Sequence, residues 1–514
     1  MDQDRGKWVI AGTVMIGNIM AVLDSSIVNV ALPDMAGNLG ATVEEITWVV
    51  TGYILANVLV MPIVGMLSAR YGRKRLYMVA IAVFTGASMM CGMAHTLPVL
   101  VLYRAVQGMA GGVLITVPQA VLRESFPPAE QGLAMGVYGM GVVLAPAIGP
   151  TLGGWLTDRY SWPWVFFINV PIGIINLFMV QRVLRDPPYL ERRRDPLDVP
   201  GLAFMILGLG AFQLMLEEGQ QDDWFQSAFI VRLAVVAAIG MVLFVWRELT
   251  TERPAVNLRI LRNVSFAAAT FLGGVMGAGL SGTLFILPLF LEGLLGFTAM
   301  DAGLALMPRS LAMLVVMPIA GRLYNRTGAR WMVALGLMFL VVGHWQLSHL
   351  TTQTGIWDLV LPQVWTGAGF SFLFAALSTA ALSAIPKARM TAATGVYNVV
   401  RQVMGSIGIA VFATALTHGQ QRYYALLAEH SSSIVARQWL RDVTGQMQAL
   451  GASLGVAQHR ALQLLGLRVS AQATVLSYND IFAALAITFA AVAPLILLLP
   501  RKVDHSEPIE IAVE

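Results

Sequence analysis

Apolar runs of about 20 residues recur along almost the whole of this chain. A helix of that length is about 30 Å long, which matches the hydrocarbon core of a bilayer. Of the 514 residues, 57% are hydrophobic and 12% are charged, whereas an ordinary soluble domain is about 45–50% apolar and about 25% charged. The sequence therefore predicts an all-α polytopic membrane protein.

The number of apolar runs predicts about fourteen transmembrane helices. The first run, which follows a short polar start, is too long for the apolar part of a cleaved signal peptide and is expected to be the first span. An even number of spans places both termini on the same side of the membrane. The predicted spans begin at Trp8, Ile46, Leu76, Val99, Leu133, Trp164, Pro200, Phe229, Val264, Asp301, Trp331, Leu359, Thr391 and Ile481.

The distribution of lysine and arginine predicts which side that is. Basic residues cluster in alternate loops, whereas short loops of the opposite parity, such as 34–45 and 292–300, have none. By the positive-inside rule the basic loops and both termini are cytoplasmic. The net charge of +4 thus reflects topology and gives no reason to expect nucleic-acid binding. The basic residues are Arg5, Lys7, Arg70, Arg73, Lys74, Arg75, Arg185, Arg192, Arg193, Arg194, Arg253, Arg259, Arg262, Arg322, Arg326, Arg330, Arg501 and Lys502.

The two halves of the chain repeat each other. The segment from Met61 to Leu67 recurs 256 positions later, and Gly136-Val137-Tyr138 recurs 259 positions later as Gly395-Val396-Tyr397. The repeat pairs the first six helices with the last six and leaves two helices between them. Parallel repeats that enclose a site near the bilayer midplane are typical of transporters. The expected division is 1–183, 184–263 with the inserted pair, 264–500 with an extracytoplasmic loop 417–478, and a cytoplasmic tail 501–514.

Four segments carry a family resemblance. Leu23 to Pro33 in helix one and Trp162 to Gly173 at helix six resemble signatures of the EmrB/QacA-type fourteen-helix drug:proton antiporters. Gly65 to Lys74 after helix two and Ala145 to Gly154 in helix five resemble the loop motif and the antiporter motif of the wider major facilitator superfamily. The resemblance implies two six-helix bundles plus two inserted helices, without enzymatic activity or a cofactor. It also implies multidrug efflux across a bacterial inner membrane, driven by the proton motive force through alternating access, with antibiotic resistance as a consequence.

The same motifs predict residues that control the conformational change. Glycines allow close helix approach, basic side chains can bond helix carbonyls, and prolines bend a helix. Ala69 stands where the family has an acidic residue, which weakens the expectation of a charge-relay gate. The predicted conformational residues are Gly65, Arg70, Gly72, Arg73, Gly149, Pro150, Gly153 and Gly154.

Charges within the membrane identify candidate functional residues, because each costs at least about 2.5–3.5 kcal/mol at a helix centre. Asp24, in helix one, is predicted to carry the coupled proton, and Arg104, in helix four, is predicted to be its opposing cation. A proton and a cationic substrate can each neutralise Asp24, so competition between them is the simplest exchange mechanism. The predicted substrate cavity comprises Asn29, Tyr53, Gln107, Arg309, Tyr397, Asn398 and Arg401.

Three features of the second half allow alternative interpretations. Arg309 and Arg401 are predicted to favour amphipathic anions, such as fatty acids, bile salts or phenolic uncouplers; alternatively, Arg309 pairs with Asp24 or Glu292. His344 is either a proton relay or a structural histidine.

The loop 417–478 has apolar residues at helical spacing. By the resemblance it binds a periplasmic adaptor, an EmrA-like membrane fusion protein that connects to an outer-membrane channel, and otherwise it caps the pump.

Other functions fit the sequence less well. Export of one native amphiphile stays open, whereas a proton-driven importer is disfavoured by the helix-five motif. A membrane enzyme would need clustered ligating residues, but the seven histidines are scattered, and no Gly-x-x-x-x-Gly-Lys-Ser/Thr motif for ATP occurs. An ion gradient is the expected energy source, and only the resemblance favours protons over sodium.

Overall fold

The computed structural model describes residues 3–187, 197–383, 385–429 and 433–500. The predicted basic residues Arg192 to Arg194 and the predicted tail 501–514 lie outside these ranges. Within them, fourteen helices are long and apolar enough to cross a bilayer, as predicted. The spans are α1 (Gly6–Leu39), α2 (Val43–Tyr71), α3 (Arg73–Gly92), α4 (Leu97–Ser125), α5 (Pro128–Arg159), α6 (Trp164–Val183), α7 (Val199–Glu218), α8 (Ala228–Thr250), α9 (Val264–Leu294), α10 (Met300–Thr327), α11 (Ala329–Leu347), α12 (Ile356–Ser383), α13 (Lys387–Glu429) and α14 (Leu454–Leu498).

The first six and the last six spans form two bundles with the same packing pattern. In the first bundle α4 packs against α2 and α3, α1 packs against α5, and α3 packs against α6. In the second bundle α12 packs against α10 and α11, α9 packs against α13, and α11 packs against α14. The repeat seen in the sequence is therefore a repeat of helix contacts.

Sharp turns between spans occur at equivalent positions of the two bundles. Gly72 separates α2 from α3 with a φ of 85°, and Gly328 separates α10 from α11 with a φ of 79°. Positive φ angles of this size favour glycine because a Cβ atom would clash with the backbone. Gly72 thus makes the tight turn that its motif predicts.

The inserted helices α7 and α8 pack closely on each other, with Gly208 of α7 directly against Gly240 of α8. Helix α7 also contacts α2 in the first bundle and α13 in the second. Gln213 of α7 donates a hydrogen bond to Ser406 of α13 at 2.7 Å and another to Glu217 at 2.8 Å. The inserted pair is therefore attached to both bundles through one helix.

The predicted loop 417–478 is largely helical and continuous with the spans on either side. The helix of α13 runs without interruption from Met390 to Glu429, and that of α14 runs from Leu454 to Ala491. A connecting helix, Ile434–Ala449, lies between them and packs against α14. The described residues of segment 417–478, defined here as the protrusion, extend beyond the apolar part of the two spans.

The two bundles meet most closely toward the end that carries the basic loops. Gly132 of α5 packs on Gly321 of α10, and the equivalent contact on the other side joins Gly65 of α2 to Ala392 of α13. Asn325 of α10 donates a hydrogen bond to the carbonyl of Ala129. The seam between the bundles is therefore closed at its basic end.

Candidate functional site

Asp24 lies at the centre of a polar network inside the first bundle. Its Oδ2 atom is 2.5 Å from Nη1 of Arg104, and these side chains are 0% and 1% exposed. Its Oδ1 atom accepts hydrogen bonds from Gln107 at 2.9 Å and from Asn169 at 2.8 Å. The structure therefore brings the two predicted coupling residues into one ion pair, with both carboxylate oxygens bonded.

Arg104 is fixed by further contacts around its guanidinium. Its Nε donates to the carbonyl of Val49 at 3.1 Å, and Nη1 also donates to Gln107 at 2.8 Å. The guanidinium lies 4.3 Å from the ring centroid of Tyr53 and 5.6 Å from that of Phe166. Such cation–π contacts stabilise a desolvated charge.

The network extends to α3 and α6 through residues that the sequence did not identify. Asn169 donates a second hydrogen bond to Ser88 at 3.0 Å, and Ser88 donates to the carbonyl of Phe166 at 2.8 Å. Both side chains are fully buried. Asn169 lies in a segment that resembles a family signature. Because its side chain is uncharged, the sequence did not identify it as a partner of Asp24.

The ion pair of Asp24 and Arg104 is buried and closely bonded. Removal of either partner would leave an uncompensated buried charge, at a cost of about 3–5 kcal/mol. The ion pair joins α1 to α4, and the hydrogen bond from Asn169 joins it to α6.

Arg309 lies in the second bundle, away from Asp24. It is 2% exposed, its Nη1 atom is buried without a hydrogen-bond partner, and it forms no ion pair among the described residues. The alternative that pairs Arg309 with Asp24 is wrong, because Asp24 bonds Arg104, Gln107 and Asn169. Glu292 is exposed and forms no ion pair in the described part of the chain.

The position of Arg309 follows from the repeat. Gly367 packs on the backbone of Arg309 in the same way that Gly108 packs on the backbone of Tyr53. Tyr53 donates to the carbonyl of Ala21 at 3.1 Å, so both predicted cavity residues are held inside their own bundles.

His344, in the same bundle as Arg309, has its Nε2 atom 3.1 Å from Thr283 and its Nδ1 atom 2.8 Å from the carbonyl of Leu340.

A second polar cluster, defined here as the seam cluster, joins the two bundles. Asn398 of α13 donates to Gln119 of α4 at 2.8 Å, and Arg401 donates to Asn398 at 3.3 Å. The guanidinium of Arg401 lies 5.5 Å from the ring centroid of Phe374. The remaining members are Tyr138 and Tyr397.

The seam cluster contains residues that the sequence predicted and others that it did not. Tyr397, Asn398 and Arg401 were predicted, whereas Gln119 and Phe374 were missed. Tyr138 was missed as a site residue although it is the repeat partner of Tyr397; its ring stacks on Phe374 with centroids 6.0 Å apart. The remaining predicted cavity residue, Asn29, is exposed and has no side-chain hydrogen bond within the described ranges.

The helix-five motif brings α5 close to α1. Gly149 packs on Ser26, Gly153 packs on Ile27, and Gly154 lies more loosely near Val30. Pro150 is exposed, and the carbonyl of the other motif proline, Pro146, accepts a hydrogen bond from Ser26 at 3.5 Å. Small residues thus allow the close helix packing for which they were singled out.

The basic motif after α2 includes a buried ion pair. Arg73 donates to both carboxylate oxygens of Glu124, at 2.5 and 3.0 Å, which ties the start of α3 to the end of α4. Arg70 lies over the ring of Tyr71, 5.9 Å from its centroid. Bidentate arginine–carboxylate pairs have a defined geometry, so the first bundle is stiffened at its basic end.

A sequence profile of the Major Facilitator Superfamily matches residues 14–409. The chain belongs to this superfamily. It is 35% identical to the fatty acid resistance protein FarB of Neisseria gonorrhoeae over 93% of each chain. It is 33% identical to the multidrug export protein EmrB of Escherichia coli K12, over 91% of this chain and 90% of EmrB.

Solved structures support the same fold. The proton:xylose symporter XylE superposes with a TM-score of 0.61 at 12% sequence identity, over 95% of this chain and 96% of XylE. The human organic anion transporter MFSD10 gives a TM-score of 0.59 at 12% identity, over 94% of this chain and 99% of MFSD10. The protein is therefore a multi-pass member of a transporter superfamily with the major facilitator fold.

Proposed function

We propose that this protein exports amphipathic compounds across the bacterial inner membrane in exchange for protons. The observation that carries the proposal is the ion pair of Asp24 and Arg104, a buried carboxylate–guanidinium pair inside a bundle of a transporter fold. Intramembrane acids of this kind are typical of proton pathways. The names of FarB and EmrB, a resistance protein and an export protein, support the outward direction of transport.

Exchange follows from competition for Asp24. A proton that arrives from the outside neutralises the carboxylate, breaks its attraction to Arg104 and accompanies release of the substrate. Loss of the proton to the cytoplasm restores the ion pair and prepares the protein for the next substrate molecule. The two bundles rock against each other between these steps, and the close glycine contacts at the basic end open and re-form. Both termini are cytoplasmic in this scheme, and no cofactor takes part.

Transport in proteoliposomes tests the proposal. An imposed inward proton gradient is expected to drive efflux of a cationic dye or of an anionic amphiphile, and collapse of the gradient is expected to stop it. A sodium gradient of the same size serves as the control for ion identity. Absence of gradient-driven flux for both compounds would overturn the proposal.

We further propose that the protrusion binds a periplasmic adaptor of the EmrA-like kind, which connects to an outer-membrane channel. Several large apolar side chains of the protrusion are exposed, among them Leu450 at 89%, Val435 at 74% and Leu467 at 66%. Exposed apolar patches on a polar surface mark interaction sites. Deletion of residues 430–452 should abolish co-purification with the adaptor, whereas retention would favour a protrusion that only caps the pump.

Export of a single native amphiphile is the second candidate. The name of FarB supports it, because fatty acids are amphipathic carboxylates. A panel of substrates separates the two candidates: a dedicated exporter moves one chemical class, whereas a multidrug exporter moves unrelated dyes, cations and anions.

A further inference from the structure

The seam cluster contains hydrogen-bond donors that no residue in the described part of the chain satisfies. The Nε atom of Arg401, the Nε2 atom of Gln119 and the hydroxyl of Tyr397 are buried and lack partners. All three groups can donate, and the first two can only donate. Buried donors without acceptors are costly, which favours a ligand that accepts hydrogen bonds at this place.

The charge of the cluster is also uncompensated. Arg401 forms no ion pair among the described residues, and the one neighbour bonded to its guanidinium is the neutral amide of Asn398. Asp24, the buried acid of the first bundle, is already bonded to Arg104. A ligand that satisfies Arg401 therefore has to bring its own negative charge.

The position of the cluster suits a transported ligand. Arg401 is 14 residues from the start of α13 at Lys387, or roughly 21 Å along the helix at about 1.5 Å per residue. That distance places it well inside the bilayer core. The hydrogen bond between Gln119 and Asn398 joins the bundles, so a ligand here contacts both parts that move in alternating access.

Aromatic rings lie beside the charged group. Phe374 contacts the guanidinium of Arg401 and stacks on Tyr138, so apolar surface from both bundles adjoins the donors. A cluster with a cation, several donors and flanking rings suits a ligand with an anionic head and an apolar body.

We propose that Arg401, Tyr397 and Gln119 bind the carboxylate of an amphipathic substrate, whose apolar body lies against Phe374 and Tyr138. This inference rests on the proposed export function and specifies its substrate class. Arg309 takes no part in headgroup binding, because it is enclosed in the second bundle. The carboxylate replaces no protein group; it supplies the acceptors that the three donors lack.

Equilibrium binding to the purified full-length protein tests the inference without a gradient. The probes are decanoate, decylammonium and decanol, which share a chain length and differ in charge. The unmodified protein should prefer decanoate over decanol by at least tenfold. Arg401→Met should weaken decanoate binding at least tenfold and leave decanol binding unchanged, because it removes the charge and preserves the length of the side chain.

Conservative variants keep the test informative if Arg401→Met fails to fold. Tyr397→Phe removes one donor and should weaken decanoate binding by about tenfold to a hundredfold, as expected for a hydrogen bond to a charged group. Arg437→Met, which removes an exposed cation of the protrusion, is the matched control and should leave all three affinities unchanged.

The outcomes are distinct from those that test export. Unchanged decanoate binding in both Arg401→Met and Tyr397→Phe, or equal losses for decanoate and decanol, would overturn the inference even if the protein exports a dye. Conversely, normal carboxylate selectivity without gradient-driven flux would overturn the proposed export function and leave the binding site intact.

Discussion

Asp24 and Arg104 form an ion pair 2.5 Å long with almost no exposure of either side chain. Gln107 and Asn169 occupy the other carboxylate oxygen. The pair therefore has a structural role as well as the proposed coupling role, and the two roles make different predictions.

Asp24→Asn should abolish proton-driven efflux and lower the melting temperature. The amide retains the shape of the carboxylate but leaves the charge of Arg104 uncompensated, at a cost of about 3–5 kcal/mol. Transport in proteoliposomes and thermal unfolding in detergent measure the two effects. Asp34→Asn, at an exposed position of the same helix, is the control.

The double variant Asp24→Asn with Arg104→Gln separates the roles. Removal of both charges should restore most of the thermal stability, because neither member of the pair is left with an uncompensated charge. Coupled efflux should stay absent. Recovery of gradient-driven transport in this variant would contradict the assignment of Asp24 as the proton carrier.

Arg309→Met and Arg104→Met should change stability in opposite directions. Arg309 is a buried cation without an ion-pair partner, so an apolar side chain of similar length should stabilise the fold by about 1–4 kcal/mol. The same substitution at Arg104 leaves Asp24 unpaired and should destabilise it. A loss of stability in both variants would show that Arg309 has a stabilising contact in the folded protein.

Gly321→Val should disfavour the conformation in which the basic end of the seam is closed. A Cβ at Gly321 has no room beside the backbone of Gly132. Spin labels at Asp158→Cys and Met300→Cys, in a Cys91→Ser background, would report the external ends of α5 and α10. The label distance should shorten in Gly321→Val as the other end closes.

Gly86→Ala is the matched control for this experiment. A Cβ at Gly86 meets nothing within 4 Å, so the distance distribution should match that of the unmodified protein. An unchanged distribution in Gly321→Val as well would mean that the glycine contact does not limit closure.

The inserted helix α7 should be coupled energetically to α13. Gln213→Ala and Ser406→Ala each remove the hydrogen bond from Gln213 to Ser406, so their effects on unfolding free energy should not add. A coupling energy of about 0.5–1.5 kcal/mol is expected from a double-mutant cycle. Thr417 bonds Gln220 instead, and the cycle of Gln213 with Thr417 should give a value near zero.

The fold could be predicted from the sequence because the membrane allows few alternatives. Lengths of apolar runs set the number of spans, and the spacing of Gly, Pro and Tyr landmarks revealed the two bundles. The extent of α14 was harder to predict: its helix begins at Leu454, well before the predicted start at Ile481, because the external part is too polar to be recognised by hydropathy.

The candidate site could be predicted only where charge was involved. Asp24 and Arg104 stood out because isolated charges are costly in a bilayer. Asn169, Gln119 and Tyr138 carry no charge, so their burial gave no signal in a single sequence. Arg309 is enclosed in the second bundle, whereas Arg401 lies in the seam cluster. The sequence could not predict this difference, because residue spacing does not say which face of a helix meets the other bundle.

The repeat is also imperfect at one place that has a structural cause. Pro33 precedes the helix-capping Thr42 by nine positions, whereas Pro288 precedes the equivalent cap Thr298 by ten. The additional residue lies where α9 ends in a π-helical segment, Leu289–Leu294. A single inserted residue in a helix is typically accommodated in this way.

The unbroken helices of α13 and α14 make the protrusion a mechanical extension of the second bundle. The helix of α13 is continuous to Glu429, so a rotation of the second bundle also rotates the outer end of the protrusion, here called its tip. From Thr417, where the predicted external loop begins, to Glu429 is 12 residues, or roughly 18 Å at about 1.5 Å per residue, so a rotation of about 10° would move the tip by roughly 3 Å. In the proposed alternating-access cycle, the proposed adaptor would be displaced by that distance each time the second bundle rotates.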